Sequence, residues 1–180
     1  VCPEEKISVL RKFNDELDHL TLPAMFFYNG PVTLEGSKKK VPEKHMGLEI
    51  IGSTKSICEA ILIKTAWEIL KEEGYENLYV NVNSIGDKDS IVKFTKELTN
   101  YYRKNLNNLQ THCRQLFKKD VFELLDCKNE KCRIVKEDAP KSISFLTEQS
   151  RHHFKEVLEY LEILDIPYKI QHFLVGNRPY

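Results

Sequence analysis

The sequence predicts an α+β fold, in which short strands and helices are followed by a long helical segment and a last strand. Two stretches with strand character flank a loop between residues 24 and 52, and a third alternates apolar and polar residues over 78–83. From Asp87 onward charged residues and asparagine dominate, and apolar residues recur at helical intervals. Because strands repeat every two residues and helices every 3.6 or so, these patterns separate the two kinds of element.

The chain begins with a predicted helix and two predicted strands. Pro3 suits a first helical turn, and apolar residues follow it at helical spacing. These residues are Ile7, Leu10, Phe13, Leu17 and Leu20. The segments "AMFFYNGP" and "GLEIIG" are bounded by glycine or proline, which is typical of strands. In the second strand Glu49 shares a face with Ile51, so we expect a carboxylate flanked by apolar residues.

A second helix and a third strand follow. Ser56 and Glu59 form a capping-box pattern at the start of the helix, and Gly74 is suited to end it. The segment "NLYVNVNSIG" then alternates apolar residues with tyrosine and asparagine, which predicts a half-buried strand with amides on its polar face.

The remainder of the chain is predicted to be mostly helical. Residues 87–120 indicate two helices or one broken helix, and a less regular piece leads to Thr147, which can cap a further helix. Pro167 ends that helix, and "YKIQHFLV" returns to strand alternation. We therefore divide the chain into three parts. They are the first part of the core at 1–86, a mostly helical insertion at 87–165 and a return strand of the core at 166–180.

Composition limits the function. The chain has 180 residues, 41% of them apolar, which is enough to bury one real core. Lysine plus arginine number 27, as do aspartate plus glutamate, so there is no global basic field that would gather nucleic acid. No apolar run reaches the roughly 18 residues needed to span a bilayer, and the amino terminus lacks a signal-peptide pattern. We expect a soluble, cytoplasmic protein that does not bind membranes.

The five cysteines are odd in number and scattered, which argues against a disulfide framework and for a reducing compartment. They are Cys2, Cys58, Cys113, Cys127 and Cys132. Cys127 and Cys132 follow His112 and Cys113 in the sequence, and these four residues could form a zinc site. The spacing is loose and contains no C-x-x-C pair, so buried or free thiols are favoured over a bound metal.

Several short motifs occur in an order that resembles the histidyl-tRNA synthetases. The motifs are "CPEEK", "FFYNGP", "GLEIIG", "VNVNSIG", "LLDCK", "DAP", "LTEQSRHHFKEVLEYLEILDIPYKI" and "LVGNRPY". Single elements such as "DAP" carry little weight, but their collinear order covers essentially the whole chain. The resemblance starts just after the first class II motif of the family and ends at its histidine-specific motif.

The resemblance implies a class II synthetase-like, mostly antiparallel sheet flanked by helices, with the helical insertion near the acceptor end of tRNA. It implies histidine or a related small molecule and ATP with magnesium as ligands, tRNA as a partner, and a homodimer. The motif that forms the family's dimer interface, and the final motif that adds an arginine to the ATP site, would lie outside the chain. The chain would then be the middle of a synthetase.

The resemblance assigns four residues to substrate binding. Glu4 stands in the family's R-P-E element, whose arginine is replaced here by Cys2. Glu49 matches the carboxylate that receives the substrate amino group, and an ammonium would neutralise a lone acid on a strand face. His45 replaces a glutamine, and Tyr180 closes the histidine-specific motif.

The resemblance fails at two arginines that stabilise charge during adenylate formation. The family's F-R-x-E-R element reads "VTLEGS" here, in which Glu35 matches the acid and no arginine remains. In the last motif Gly176 stands where an arginine is expected, and Arg178 lies two positions away. Lys38, Lys39 and Lys40 occupy a shortened version of the loop that folds over ATP. Lysine attracts phosphate but lacks the planar fork that orients it.

Each assignment has a structural alternative. The lysine triplet can be a solvated loop, Glu49 can form an ion pair within the sheet, and Glu4 can interact with the dipole of its helix. His152 and His153 resemble a catalytic pair, but no serine or cysteine context supports one. Two functions therefore compete. One is a synthetase core that activates histidine slowly, and the other is a non-catalytic relative that binds a ligand or RNA, which the missing arginines favour.

Overall fold

The computed structural model describes residues 3–16, 19–32 and 43–175. The chain divides into two compact units, Val1–Ile69 and Leu70–Tyr180. The predicted boundaries at 86 and 165 separate the core from its helical insertion, and they stay predictions.

The first unit contains a helix, a strand hairpin and most of a second helix. Helix α1 (Pro3–Glu16) precedes β1 (Ala24–Val32) and β2 (Glu43–Ile51), and α2 (Ile57–Glu72) follows. The two strands are antiparallel, with Ala24 opposite Ile51 at one end and Val32 opposite Glu43 at the other. The rings of Phe13 and Phe26 meet edge to face at 6.0 Å, so α1 packs on the hairpin.

The second unit is mostly helical. Its elements are β3 (Val80–Val82), α3 (Lys88–Lys104), α4 (Thr111–Lys119), α5 (Glu130–Glu137), α6 (Glu148–Ile163) and β4 (Tyr168–Ile170). Short 3-10 turns lie at Leu106–Asn108, Val121–Leu124 and Ser142–Phe145. Strands β3 and β4 pair in parallel, so the helices between them form the crossover connection.

The core of the second unit is built on one face of α3. Phe94, Leu98 and Tyr102 recur every four residues and are 0% exposed. They pack with buried residues from the following helices and turns, among them Leu109, Cys113, Val121, Leu124, Leu125, Cys132, Val135 and Ala139. A helix with one fully buried stripe and charged residues elsewhere is thus anchored along its whole length.

The "NSIG" motif connects β3 to the rest of the second unit. The side-chain amide of Asn83 donates to Ser142 Oγ at 3.0 Å and to the carbonyl of Leu174 at 2.9 Å. Ser142 Oγ in turn donates to the carbonyl of Ser84 at 2.7 Å. The amide therefore holds the end of β3 against the segment that follows β4.

Two helices share their amino-terminal caps. Asp87 accepts from the backbone N–H of Ser90 at 2.9 Å and from the Thr147 hydroxyl at 2.6 Å. Thr147 also caps its own helix by accepting from the N–H of Ser150 at 3.2 Å. The hydrogen bonds to its carboxylate, led by that from Thr147, hold the pKa of Asp87 well below its usual range. The starts of α3 and α6 are consequently tied to each other.

Most predicted elements are present, with some differences in extent. Helix α6 begins after the Thr147 cap. Residues 87–120 were predicted to form two helices or one broken helix, and they form α3 and α4. The strand predicted over 78–83 is shorter, because pairing with β4 ends where the side chain of Asn83 turns to Ser142 and Leu174. The less regular piece contains α5, which the prediction had not resolved. No helix in the described part of the chain is long and apolar enough to cross a membrane.

Candidate functional site

The hairpin places two of the predicted substrate residues on one face. Side chains alternate along a strand, so His45, Gly47 and Glu49 of β2 share a face. Directly opposite them on β1 are Gly30, Tyr28 and Phe26. The face therefore combines an imidazole, a carboxylate and two aromatic rings.

A glycine makes room for one of these rings. A Cβ atom at Gly47 would overlap the ring and hydroxyl of Tyr28, so this ring lies directly over the glycine backbone. Close approach of this kind is a common reason for glycine inside a strand. Tyr28 thereby occupies the space between His45 and Glu49 on the shared face.

Glu49 is half-buried on this face. Its carboxylate has no hydrogen-bond or ion-pair partner among residues 3–16, 19–32 and 43–175, whereas His45 and Tyr28 each have interactions. The expectation of an ion pair within the hairpin is therefore not met by the described part of the chain. The carboxylate is therefore available to accept hydrogen bonds from a bound ammonium group.

An open groove of about 840 Å³ runs between α1 and β1. It is lined from the helix by Val9, Lys12 and Glu16, and from the strand by Phe26 and Tyr28 among others. Because Phe26 and Tyr28 also belong to the face that carries Glu49, the groove and that face adjoin. Apolar walls with a few polar groups are typical of small-molecule sites.

The other predicted site residues cannot be placed. Glu4 belongs to the first turn of α1, and its side chain lies outside the described residues. The predicted phosphate-binding residues Glu35, Lys38, Lys39, Lys40 and Arg178, and the predicted substrate residue Tyr180, also lie outside the described residues. Their roles stay predictions, as do those of His45 and Glu49.

The histidine pair lies at the start of α6. His152 Nδ1 lies 3.7 Å from Glu156 Oε1 one turn later, and the His152 side chain is 72% exposed, so the two residues form a surface pair within one helix. That the histidines are not catalytic stays a prediction from the sequence.

Three of the cysteines come together in the second unit. The sulfur atoms of Cys113, Cys127 and Cys132 lie within 4.8 Å of one another, while His112 is exposed. Burial, together with hydrogen bonds that the protonated Cys132 thiol makes with the other two sulfur atoms, raises the pKa of Cys132. The sequence had favoured buried or free thiols over a bound metal, and Cys113 and Cys132 are free and buried. That the three thiols meet was not predicted, because contact between α4 and α5 leaves no periodic signal in the sequence.

Tyr28 and Gly47 were missed by sequence reasoning. The only signal for them was strand register, since Gly47 lies two residues before Glu49 and so on the same face. The partner of Gly47 on β1 depends on the length of the connection between the strands, which a pattern of apolar residues does not fix.

The arrangement of elements also occurs in a solved structure. The crystal structure of apo histidyl-tRNA synthetase from S. aureus superposes with a TM-score of 0.67 and 22% sequence identity, over 93% of this chain and 40% of that one. This match confirms the predicted α+β, class II synthetase-like fold.

Sequence comparison specifies the relationship further. The chain is 33% identical to the histidine–tRNA ligase of Clostridium novyi (strain NT) over 182 residues, and 32% identical to that of Halothermothrix orenii over 185 residues. Both alignments cover 99% of this chain. The chain is therefore homologous to histidine–tRNA ligases over nearly its whole length, which confirms the resemblance read from the motifs. No protein-family model matches the sequence.

The chain spans less than half the length of these relatives, 44% of the first and 43% of the second. It therefore aligns with a part of each of these two relatives.

Proposed function

We propose that this chain is the part of a histidyl-tRNA synthetase-like core that binds histidine, and that it activates histidine with ATP slowly. The observation that carries the proposal is the placement of Glu49, half-buried and without a described partner, on one strand face with His45. The match to histidine–tRNA ligases over 99% of the chain supports histidine as the substrate.

The hairpin face suits an amino acid with an aromatic side chain. The Glu49 carboxylate can accept hydrogen bonds from the α-ammonium group, which gives a charge-assisted pair. The rings of Phe26 and Tyr28 can contact an imidazole ring of the substrate through their faces or edges. His45 lies two positions before Gly47 on the same strand face. Its imidazole can donate a hydrogen bond to the bound molecule or accept one from it.

The chain departs from the family pattern at the residues expected to act on ATP. The segment "VTLEGS" lacks the arginine that the resemblance places at the α-phosphate, and Gly176 stands in place of the second arginine, which stabilises charge during the reaction. Removal of one such transition-state donor costs about 100- to 1000-fold in rate. Lys38, Lys39 and Lys40 would attract the negatively charged polyphosphate of the magnesium–ATP complex without orienting it. We therefore propose that adenylate formation is slow. From the resemblance we also propose that the protein is a cytoplasmic homodimer and that its helical segment contacts the acceptor end of tRNA.

The missing arginines also favour a second function, a non-catalytic relative that binds histidine, a similar ligand or RNA. A pocket can keep its affinity for the amino acid when the groups that stabilise the transition state are lost, because binding and catalysis depend on different contacts.

Two measurements distinguish the proposals. Histidine-dependent ATP–pyrophosphate exchange measures activation, and the shift of the thermal midpoint with histidine measures binding. A slow but histidine-dependent exchange together with a thermal shift supports the first function. A thermal shift without exchange selects the second, and exchange at the rate of an intact synthetase would contradict the proposed effect of the missing arginines.

The role of Glu49 is tested by Glu49→Gln, which keeps the shape and removes the charge. We expect the variant to fold and to lose most of the thermal shift caused by histidine. Glu73→Gln, an exposed acid after α2, is the matched control and should keep the full shift. An unchanged shift in Glu49→Gln would remove Glu49 from the site.

A further inference from the structure

Three cysteine side chains from separate segments of the second unit converge in its core. Cys113 belongs to α4, Cys127 follows a 3-10 turn, and Cys132 belongs to α5. Cys113 is 0% exposed and Cys132 is 1% exposed, whereas Cys127 is half-buried. Three polarisable sulfur atoms in one place are more than the packing of apolar side chains requires.

The spacing of the sulfur atoms fits a metal ion. Zinc binds thiolate sulfur at about 2.3 Å in tetrahedral geometry, which places two ligand sulfurs about 3.8 Å apart. The sulfur atoms of Cys113 and Cys127 are 3.7 Å apart, and all three lie within 4.8 Å of one another. The cluster therefore needs only a small contraction to hold one ion.

A second observation points to the same place. The hydroxyl of Tyr102 on α3 is buried and has no hydrogen-bond partner in the described part of the chain. Tyr102 belongs to the same cluster of buried residues as Cys113 and Cys132. Buried hydroxyl groups normally have a partner, and an unpaired one calls for an explanation.

We propose that Cys113, Cys127 and Cys132 bind one zinc ion as thiolates, with the Tyr102 oxygen at the fourth position. Each thiol loses a proton to solvent as its sulfur–zinc bond forms, so that zinc binding releases protons. A sulfur-rich and buried site is selective for soft or borderline ions such as Zn²⁺ over Mg²⁺ or Ca²⁺.

The site would be structural. The ion would join α4, the segment after the 3-10 turn and α5 to α3, which supplies Tyr102. Lys136, one turn after Cys132, directs its ammonium group to the carbonyl of Leu125 at 2.9 Å and brings a positive charge to this side of α5. That charge would partly balance three thiolates around a divalent ion.

The test is metal binding by the whole chain. The protein is purified under reducing conditions, stripped with a chelator, and titrated with Zn²⁺ and with Co²⁺. We expect one equivalent of zinc, a rise in the thermal midpoint on binding, and a cobalt spectrum with sulfur-to-metal charge-transfer bands and the visible bands of a tetrahedral ion. Absence of bound metal, or a cobalt spectrum without charge-transfer bands, would overturn the proposal.

Variants separate the cluster from other thiols. Cys127→Ser alters the half-buried ligand and should lower zinc affinity by more than the roughly 10- to 100-fold that loss of an outer partner costs. Tyr102→Phe should lower affinity while keeping the charge-transfer bands. Cys58→Ser, on α2, is the matched control and should bind normally. Equal affinity in Cys127→Ser and the control, or a disulfide between Cys113 and Cys127 found by mass spectrometry in the reduced preparation, would refute the site.

Discussion

Substitution of Gly86 by alanine should destabilise the second unit through two separate effects. Gly86 has a φ of +73°, and left-handed backbone costs a residue with a Cβ about 1–2 kcal/mol. A Cβ here would also lie 2.6 Å from Ser90 Cβ and 2.7 Å from Leu146 Cδ2. Both neighbours are buried, and Ser90 Oγ accepts from the N–H of Thr147 at 2.9 Å, so neither can move freely.

The expected size follows from these two terms. Forcing extra volume into packed surroundings costs about 1–3 kcal/mol, which gives about 2–5 kcal/mol for Gly86→Ala with the backbone term. Gly74→Ala is the matched control, because Gly74 has a φ of +86° and nothing within 4 Å of an added Cβ. It should lose only the backbone term of about 1–2 kcal/mol.

Urea unfolding followed by far-ultraviolet circular dichroism measures both variants. For a chain of this length each kcal/mol corresponds to about 2–4 °C in the thermal midpoint, which provides an independent reading. Equal loss of unfolding free energy in Gly86→Ala and Gly74→Ala would refute the conclusion that Gly86 is needed for close packing.

Two further predictions concern the polar contacts around β3 and the helix starts. Since the folded pKa of Asp87 lies below its unfolded value of 3.8, its contribution to stability is present above about pH 4 and is lost as the pH falls further. Asp87→Asn should therefore show a shallower loss of unfolding free energy than the native chain between pH 5 and pH 3, and parallel curves would contradict this. Asn83→Ala leaves the carbonyl of Leu174 and the Ser142 hydroxyl without the amide, and should cost about 1–3 kcal/mol in urea unfolding. A change below about 0.5 kcal/mol, typical of surface positions, would show that the contacts are dispensable.

Local signals in the sequence predicted the helices well. Thr147 precedes α6, Gly74 follows α2, and Asp87 precedes α3. Such capping residues lie next to the helix ends in the sequence, so they can be recognised without the structure. Contacts between distant segments had no such signal. The bond from Thr147 to Asp87 joins residues 60 positions apart, and the parallel pairing of β3 with β4 depends on how the intervening helices pack.

The resemblance named His45 and Glu49 as site residues, and their roles stay predictions. The predicted strand began at Gly47, whereas β2 begins at Glu43, so the structure was needed to place His45 on the same face as Glu49. The position of the Tyr28 ring over Gly47 required the register of the hairpin, and the meeting of three cysteines required the packing of α4 and α5. The lysine loop and Arg178 stay predictions, because they lie outside the described residues.

The parallel direction of β3 and β4 limits how this protein could be shortened. Antiparallel strands can be joined by a tight turn, but a parallel partner must be reached by carrying the chain back along the length of the first strand. Removing the helices and joining residue 86 to residue 166 would therefore leave the last strand facing the wrong way. A minimal version has to retain at least one return helix, for which α6 is the natural choice because it leads directly into β4.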